Sequence, residues 1–256
     1  MSSGILNPSL TLVMAAIAYA LSVGSFNMLN NIFDVKSDRL SKPDRPLASM
    51  EITTMTAFKY YILTVSLSLI IAYFVNFIIL ISCVFVIILS ILYSVHPIKL
   101  KRFIYINTIL VSACYSFIPL SAGWLLFSGL QSTPWYIFGA ITSISFIMVI
   151  TKDIQDVHAD NIFGVSTIPI FYGIEKSGKF MRNVSILIYT AVFILILSNI
   201  FNYVYFLTFI PLIGILHLSS LIEKNSTEKM GKVFLRRAGL IGITAEILFL
   251  ISYIYS

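Results

Sequence analysis

The sequence predicts an all-α fold, a polytopic bundle of eight transmembrane helices, and three observations predict it. Of the 256 residues, 58% are hydrophobic and only 11% charged, with mean hydropathy +0.94. An ordinary soluble domain is about a quarter charged, so this chain lacks the groups to cover a water-facing surface. Its apolar residues gather in eight segments, 8–29, 54–75, 77–95, 104–127, 134–151, 183–200, 203–222 and 238–255, each close to the roughly 20 residues that cross a hydrocarbon core. Sixteen of the 17 Lys and Arg residues fall in alternate connections between those segments, and Lys59 lies just inside the second segment, at its charged end.

Each segment reads as helix rather than strand. The apolar runs are too long for buried strands, and turn signals every ten residues or so, as a barrel needs, are absent. The first connection holds Lys36, Arg39, Lys42 and Arg45, with Lys59 at the entry to the second helix. The third holds Lys99, Lys101 and Arg102; the fifth region holds Lys152, Lys176, Lys179 and Arg182; the seventh holds Lys224, Lys229, Lys232, Arg236 and Arg237. The connections around Asn76, Gly129 and Asn202 carry no cation. By the positive-inside rule the four charged connections are expected on the cytoplasmic face and both termini outside. A wrong helix count would scatter the cations over both faces.

Composition excludes other classes. A soluble enzyme, a disordered chain and a disulfide scaffold are all ruled out. The net charge of +6 does not indicate nucleic acid, because the cations sit in short loops rather than in a stripe on a soluble fold. Cys83 and Cys114 lie inside apolar runs and read as packing residues. The stretch Met1 to Pro8 has no basic residue before its apolar run, unlike a cleaved signal peptide. One domain is expected over 1–256, in contact with membrane lipid and with no obligate protein partner implied.

Ten of the eleven acids share the charged face, and Glu246 alone sits within an apolar span. An intramembrane carboxylate is either a functional group or a protonated packing residue. Glu223 and Glu228 lie in the seventh connection, and the other eight acids fall in or beside the first and third charged regions. The first connection reads Asn30-Asn31-Ile-Phe-Asp34-Val-Lys-Ser-Asp38, then Arg39-Leu-Ser-Lys42-Pro-Asp-Arg45-Pro-Leu47. Asn30, Asp34 and Asp38 are spaced i, i+4, i+8, which makes one stripe if the first helix continues through them. The third charged region reads Lys152-Asp153-Ile-Gln-Asp156-Val-His158-Ala-Asp160, with carboxylates at i, i+3, i+7. Like charges so placed repel by a few tenths of a kcal/mol, and two such stripes form a weak internal repeat. Hard divalent cations take oxygen ligands, and Mg²⁺ typically takes one or two carboxylates plus substrate phosphates. Two stripes suit Mg²⁺ and a diphosphate, with Lys42, Arg45, Lys101, Arg102 and Lys152 available for phosphate oxygens, Arg as a fork and Lys as a point charge.

On these residues the chain resembles the UbiA superfamily of intramembrane prenyltransferases. Asn30-x-x-x-Asp34-x-x-x-Asp38 with Lys42-Pro-Asp-Arg45-Pro-Leu is similar to the first motif of that family. Lys152-Asp153-Ile-Gln-Asp156-Val-His-Ala-Asp160, followed by Gly164-Val-Ser-Thr167-Ile-Pro169 and Gly173, is similar to the second. Tyr93-Ser94-x-x-Pro97-x-x-Leu100-Lys101-Arg102 and then Asn107 resembles the connecting-loop signature. The likeness spans about residues 10 to 175, and the last three helices match in hydropathy only.

The resemblance implies a helix bundle around a central cavity, and Mg²⁺ at both motifs binding a polyprenyl diphosphate. It implies that Asn30, Asp34 and Asp38 hold one metal and Asp156 and Asp160 another. Arg45, Lys101 and Lys152 would contact diphosphate, Tyr93 would line the reacting end, and Asp153 would either bind metal or orient diphosphate. The activity implied is transfer of a prenyl group to a lipid or aromatic acceptor. The Lys-Asp-Ile-x-Asp-Val segment is similar to archaeal enzymes that prenylate a glyceryl-phosphate ether lipid, and Pro46-Leu-Ala-Ser49 to homogentisate-type quinone prenyltransferases. Two departures stand out. The family usually has nine helices and eight are expected here, the unmatched one being the first, upstream of the helix that leads into the Asn30 motif; Ala159 stands where related sequences often carry Gly. The chemistry expected is ionisation of an allylic diphosphate in a cavity that excludes water. Tyr93 either faces the cation with its ring or anchors at the interface. His96 and His158 read either as ordinary interfacial residues or as a proton relay near the loops, and His217 as packing. A transporter of a phosphorylated or lipidic solute, a lipid phosphotransferase and an inactive relative are the competing readings.

Overall fold

The computed structural model describes residues 8–225, 227 and 230–255; the reading of the N-terminal stretch before Pro8 and the charges of Glu228 and Lys229 fall outside the described residues. Twelve α-helices follow in order: α1 (Pro8–Phe33), α2 (Val35–Ser41), α3 (Thr54–Val75), α4 (Phe77–Ser94), α5 (Ile104–Ser112), α6 (Ile118–Leu125), α7 (Trp135–Ile154), α8 (Val157–Ile162), α9 (Ile168–Tyr172), α10 (Ile174–Leu197), α11 (Phe209–Lys224) and α12 (Gly231–Ile254). No strand occurs among the described residues. Among the described residues, eight helical stretches are long and apolar enough to cross a membrane, as expected.

Two helix starts differ from the sequence reading. The sixth span begins at Ile174 rather than 183, and the eighth at Gly231 rather than 238. Hydropathy marks only the part of a helix that lies in hydrocarbon. Lys176, Lys179, Arg182, Lys232, Arg236 and Arg237 are good helix formers and carry both helices on past that part.

The described residues cluster into two compact units. The first comprises residues up to Leu100 together with Phe117–Thr133. Here α1 packs against α3 and α4, and α6 against α4. Ala15, Ala18, Ala72, Ile79, Cys83 and Ala122 form its core. Small side chains let backbones approach where lipid gives no hydrophobic drive for helix pairing, and interhelical hydrogen bonds then add to packing. Ser22 and Ser68, both fully buried, share a hydroxyl hydrogen bond of 2.7 Å, and Ser68 Oγ donates to the Ala18 carbonyl at 2.8 Å. Asn76 ends α3 and caps α4 by accepting from the Ile78 N–H at 2.7 Å. That single residue explains how a neutral connection can be so short.

The second unit comprises Lys101–Ser116 and Pro134–Ser256, and α7 lies at its centre, packed by α5, α10 and α12. Ile137, Ile141, Ile144, Ile147, Ile150 and Ile154 are buried along it, close to the helical period. Gly231, at the start of α12, lies so close to Gln155 that a Cβ there would stand 2.6 Å from its Cα. Arg182 donates to Glu223 at 2.6 Å, tying α10 to α11.

The span over 104–125 is not one regular helix. A wider π-helical turn, Ala113–Phe117, separates α5 from α6. Pro119 is the cause: it offers no N–H to the Tyr115 carbonyl and its ring crowds that carbonyl, and a π-turn is one of the few ways to relieve both inside a membrane. Ser116 pairs with the Ser145 hydroxyl at this turn. Cys83 and Cys114 are free and buried, as packing residues should be. His217, by contrast, is exposed on α11 rather than packed; hydropathy does not say which face of a span a residue takes. Glu246 is also exposed, on α12.

Candidate active site

The first acidic segment keeps its four-residue spacing through a break. After α1 ends at Phe33, Asp34 takes φ −101° and ψ 8°, and α2 resumes at Val35. Backbone bonds carry the register across: the Asp34 N–H donates to Asn30 O at 2.9 Å, the Asp38 N–H to Asp34 O at 2.8 Å, and the Lys42 N–H to Asp38 O at 2.7 Å. Asp38 is buried, 6% exposed, while Asn30, Asp34 and Lys42 are half-buried. Arg45 returns along the following turn, and its Nη1 donates both to Asp38 Oδ2 and to Asn31 Oδ1, each at 2.8 Å. Even so, burial pushes the Asp38 carboxyl above its ordinary value; the Arg45 bond and charge, and Lys42, pull against that only in part, and Asp34 adds to it. The carboxylate is therefore short of positive charge. A cleft of about 410 Å³ opens alongside, with Met28, Leu47 and Ile52 as apolar wall and Asp38 and Arg45 as its charged end.

The second acidic segment repeats that local form. The long helix α7 ends at Ile154, and Asp156 takes φ −112° and ψ 3° before α8 begins at Val157. These angles nearly match those of Asp34 and lie in the sparsely populated bridge region, where active-site residues often sit. The Asp156 N–H donates to Asp153 O at 3.3 Å and the Asp160 N–H to Asp156 O at 2.8 Å. The single unbroken helical face expected for Asp153, Asp156 and Asp160 is thus corrected: Asp153 belongs to α7, whereas Asp156 stands at the boundary before a separate short helix, without a side-chain bond to its backbone. Like charges one turn apart repel along a continuous helix, and the break takes Asp156 and Asp160 out of the register of α7. Asp153 and Asp156 are buried and Asp160 half-buried. Lys152 Nζ donates to Asp153 Oδ1 at 3.2 Å, and Asn107 Nδ2 on α5 donates to Asp153 Oδ2 at 3.1 Å.

The segment after α4 supplies the remaining candidates. Tyr93 is 5% exposed, its ring 5.0 Å from that of Phe26, so it sits inside the first unit and not at a lipid interface. Lys101 is 2% exposed within a 3₁₀ turn, Leu100–Arg102, while Arg102 is exposed. His96 and His158 are exposed. Two polar residues carry contacts that spacing alone does not reveal: Asn31, which accepts from Arg45, and Asn107, which was a motif letter without a role.

Every side chain in the two clusters offers oxygen, the donor set of a hard cation. Among the described residues, no three His, Cys, Asp or Glu side chains converge into a protein-only metal cage. Mg²⁺ does not require one, because it commonly binds through one or two carboxylates and completes its shell with water and substrate phosphate. Burial raises the Asp38 carboxyl despite Arg45, and a bound cation would offset that cost. The residues fit the metal.

Fold and site together define a class: a helical membrane protein with an oxygen-rich acidic segment in each of two units. Residues 1–240 match the model of the UbiA prenyltransferase family. The chain is 28% identical over 240 residues to digeranylgeranylglyceryl phosphate synthase of Methanobrevibacter smithii, covering 91% of this chain and 84% of that protein. It is 29% identical over 174 residues to the chloroplastic 2-acyl-4-prenylphloroglucinol 6-prenyltransferase of Humulus lupulus, which spans 61% of this chain but only 42% of the plant protein. Among solved structures, one from work on digeranylgeranylglyceryl phosphate synthase in membranes aligns with TM-score 0.67 at 23% identity, over 98% of this chain and 88% of that one. A UbiA homologue from Archaeoglobus fulgidus bound to GPP and Mg²⁺ aligns with TM-score 0.63 at 19% identity, over 94% and 87%. The chain belongs to the UbiA prenyltransferase family and is an integral, multi-pass membrane protein.

Proposed function

We infer that this chain transfers a prenyl group from a polyprenyl diphosphate to a lipid or aromatic acceptor within the membrane and releases diphosphate. The observation that carries the reading is the paired acidic segment: two stretches far apart in sequence, each with an aspartate at the same helix break and a second aspartate one turn on. In the reading, Asn30, Asp34 and Asp38 hold one Mg²⁺ and Asp156 and Asp160 another. When bound, the metal neutralises the charge that gathers on the leaving diphosphate. Lys42, Lys101, Arg102 and Lys152 supply cations for the outer phosphate oxygens, and Arg45 does so with the N–H groups not given to Asp38 and Asn31. Tyr93, buried against Phe26, offers a ring face to the allylic cation. The four cation-bearing connections lie on the cytoplasmic side by the positive-inside rule.

A glyceryl-phosphate ether lipid is the favoured acceptor. The relatives matched over most of their own length are synthases named for a digeranylgeranylglyceryl phosphate product, whereas the aromatic-acceptor relative is matched over less than half of its length. The Mg²⁺ requirement is supported by the Archaeoglobus homologue, which holds GPP together with that ion.

The test is diphosphate release from labelled geranylgeranyl diphosphate in membranes carrying the wild type, Asp34→Ala or Asp156→Ala. Each substitution is expected to lower the rate by about 100-fold or more, the loss typical of removing one charge-stabilising group. Undiminished Mg²⁺-dependent release by either variant would overturn the assignment.

A further inference from the structure

We propose that Asp153 is a positioning residue for Lys152, locked by Asn107, and not a metal ligand. The proposal rests on the prenyltransferase reading above and deepens it, since it divides the acids of the second segment into those that hold metal and one that does not.

The argument is one of geometry and coordination. Asp153 is 2% exposed, at the last turn of α7. Its two carboxylate oxygens are both engaged, and by cationic or amide donors: Lys152 Nζ on Oδ1 at 3.2 Å and Asn107 Nδ2 on Oδ2 at 3.1 Å. Two of about four lone-pair sites are thus taken; the ammonium at Oδ1 disfavours a second cation there, and a metal that displaced Asn107 would leave a buried amide, 2% exposed, without this acceptor. Unmade hydrogen bonds of buried polar groups are costly. The repeat separates Asp153 from its neighbours as well. With Asp156 and Asp160 set against Asp34 and Asp38, Asp153 falls opposite Asn31, which likewise accepts from a cationic side chain, Arg45, and is not among the residues assigned to metal.

What the arrangement does is hold one ammonium. A lysine side chain carries large rotamer entropy, and Lys152, 40% exposed, would sweep a wide arc if nothing fixed it. Asp153 is its immediate neighbour in sequence and is itself fixed by an amide on another helix. The order of action is therefore Asn107 to Asp153 to Lys152 to phosphate oxygen, with Lys152 as the only member of the three that touches substrate.

The experiment uses the full-length protein in detergent, with inorganic pyrophosphate as the probe and Mn²⁺ as a spectroscopic substitute for Mg²⁺. Electron paramagnetic resonance counts bound Mn²⁺, and calorimetry gives the pyrophosphate Kd. Asp153→Asn, which is nearly isosteric, should bind as many Mn²⁺ ions as the wild type and bind pyrophosphate about tenfold more weakly, in the range of one lost charge-assisted hydrogen bond. Asn107→Leu should weaken pyrophosphate by a smaller factor, about threefold, and Asn107→Gln should restore it. Added to Lys152→Met, neither Asp153→Asn nor Asn107→Leu should weaken pyrophosphate further, because both act through that ammonium. Loss of a Mn²⁺ ion in Asp153→Asn, or full additivity with Lys152→Met, overturns the proposal while leaving the prenyltransferase reading intact. A wild type that binds no metal-pyrophosphate overturns both.

Discussion

Replacing Arg45 by Ala should destabilise the first unit in a way that depends on pH. Arg45 Nη1 bridges Asp38 Oδ2 and Asn31 Oδ1 at 2.8 Å each. A charge-assisted hydrogen bond contributes about 1.5–3 kcal/mol, and breaking a fully buried pair costs about 3–5 kcal/mol. The Asp38 side chain is 8% exposed but Arg45 is 36% exposed, so solvent screens the pair and the lower range applies. We expect a loss of about 2 kcal/mol, or about 4–8 °C in Tm for a chain of this size. The sign with pH follows from Asp38. Its folded carboxyl is raised, chiefly by burial, with Arg45 pulling down, so protonated Asp38 favours the fold and that contribution is lost as pH rises through the folded value. Without Arg45 the carboxyl rises further and more is lost. The gap between wild type and Arg45→Ala should accordingly be small near pH 4 and widen toward pH 7. Thermal unfolding in detergent with EDTA measures it. In an Asp38→Asn background the same substitution should cost less than about 1 kcal/mol, because only neutral hydrogen bonds remain. Equal losses in both backgrounds, or a gap that narrows with rising pH, would refute the reasoning.

Three further outcomes follow from packing. Gly231→Ala would place a Cβ 2.6 Å from the Cα and Cβ of Gln155, and should cost about 1–3 kcal/mol as an overpacked contact, with diphosphate release falling because Gln155 adjoins Asp156. Ser68→Ala removes the bonds to Ser22 and Ala18; it should lower stability by about 0.6–1.7 kcal/mol, read as a Tm shift with Mg²⁺ dependence unchanged. Gly173 holds φ +84° where α10 begins, so Gly173→Ala should cost about 1–3 kcal/mol of backbone strain, a loss that Gly164→Ala, at φ +65°, should match only if its turn is equally constrained by neighbours.

The eight spans were legible because the bilayer imposes length and polarity on each of them, and the alternation of cations confirmed the count without any structure. Their ends were not, since Lys176 and Arg236 are compatible with helix and with loop alike. The acidic clusters were legible as spacing, yet the breaks at Asp34 and Asp156 were not. An i, i+4 pattern persists whether the residue between takes helical or bridge-region angles, so periodicity cannot distinguish the two. Partner choice was the least readable property. Arg45 and Lys152 are legible as candidate cations, but nothing local says that each is held by an aspartate of its own segment. Asn31 and Asn107 acquire their contacts only when turns or separate helices come together, which no linear pattern records.

Neither of the two units is one uninterrupted stretch of chain. Here the polypeptide passes from one unit to the other at Leu100, returns after Ser116 and leaves again after Thr133. Half of one membrane crossing belongs to each side, joined at the turn before Pro119. No single cut in the gene separates the halves, so neither is available as an independent module for fusion, truncation or recombination.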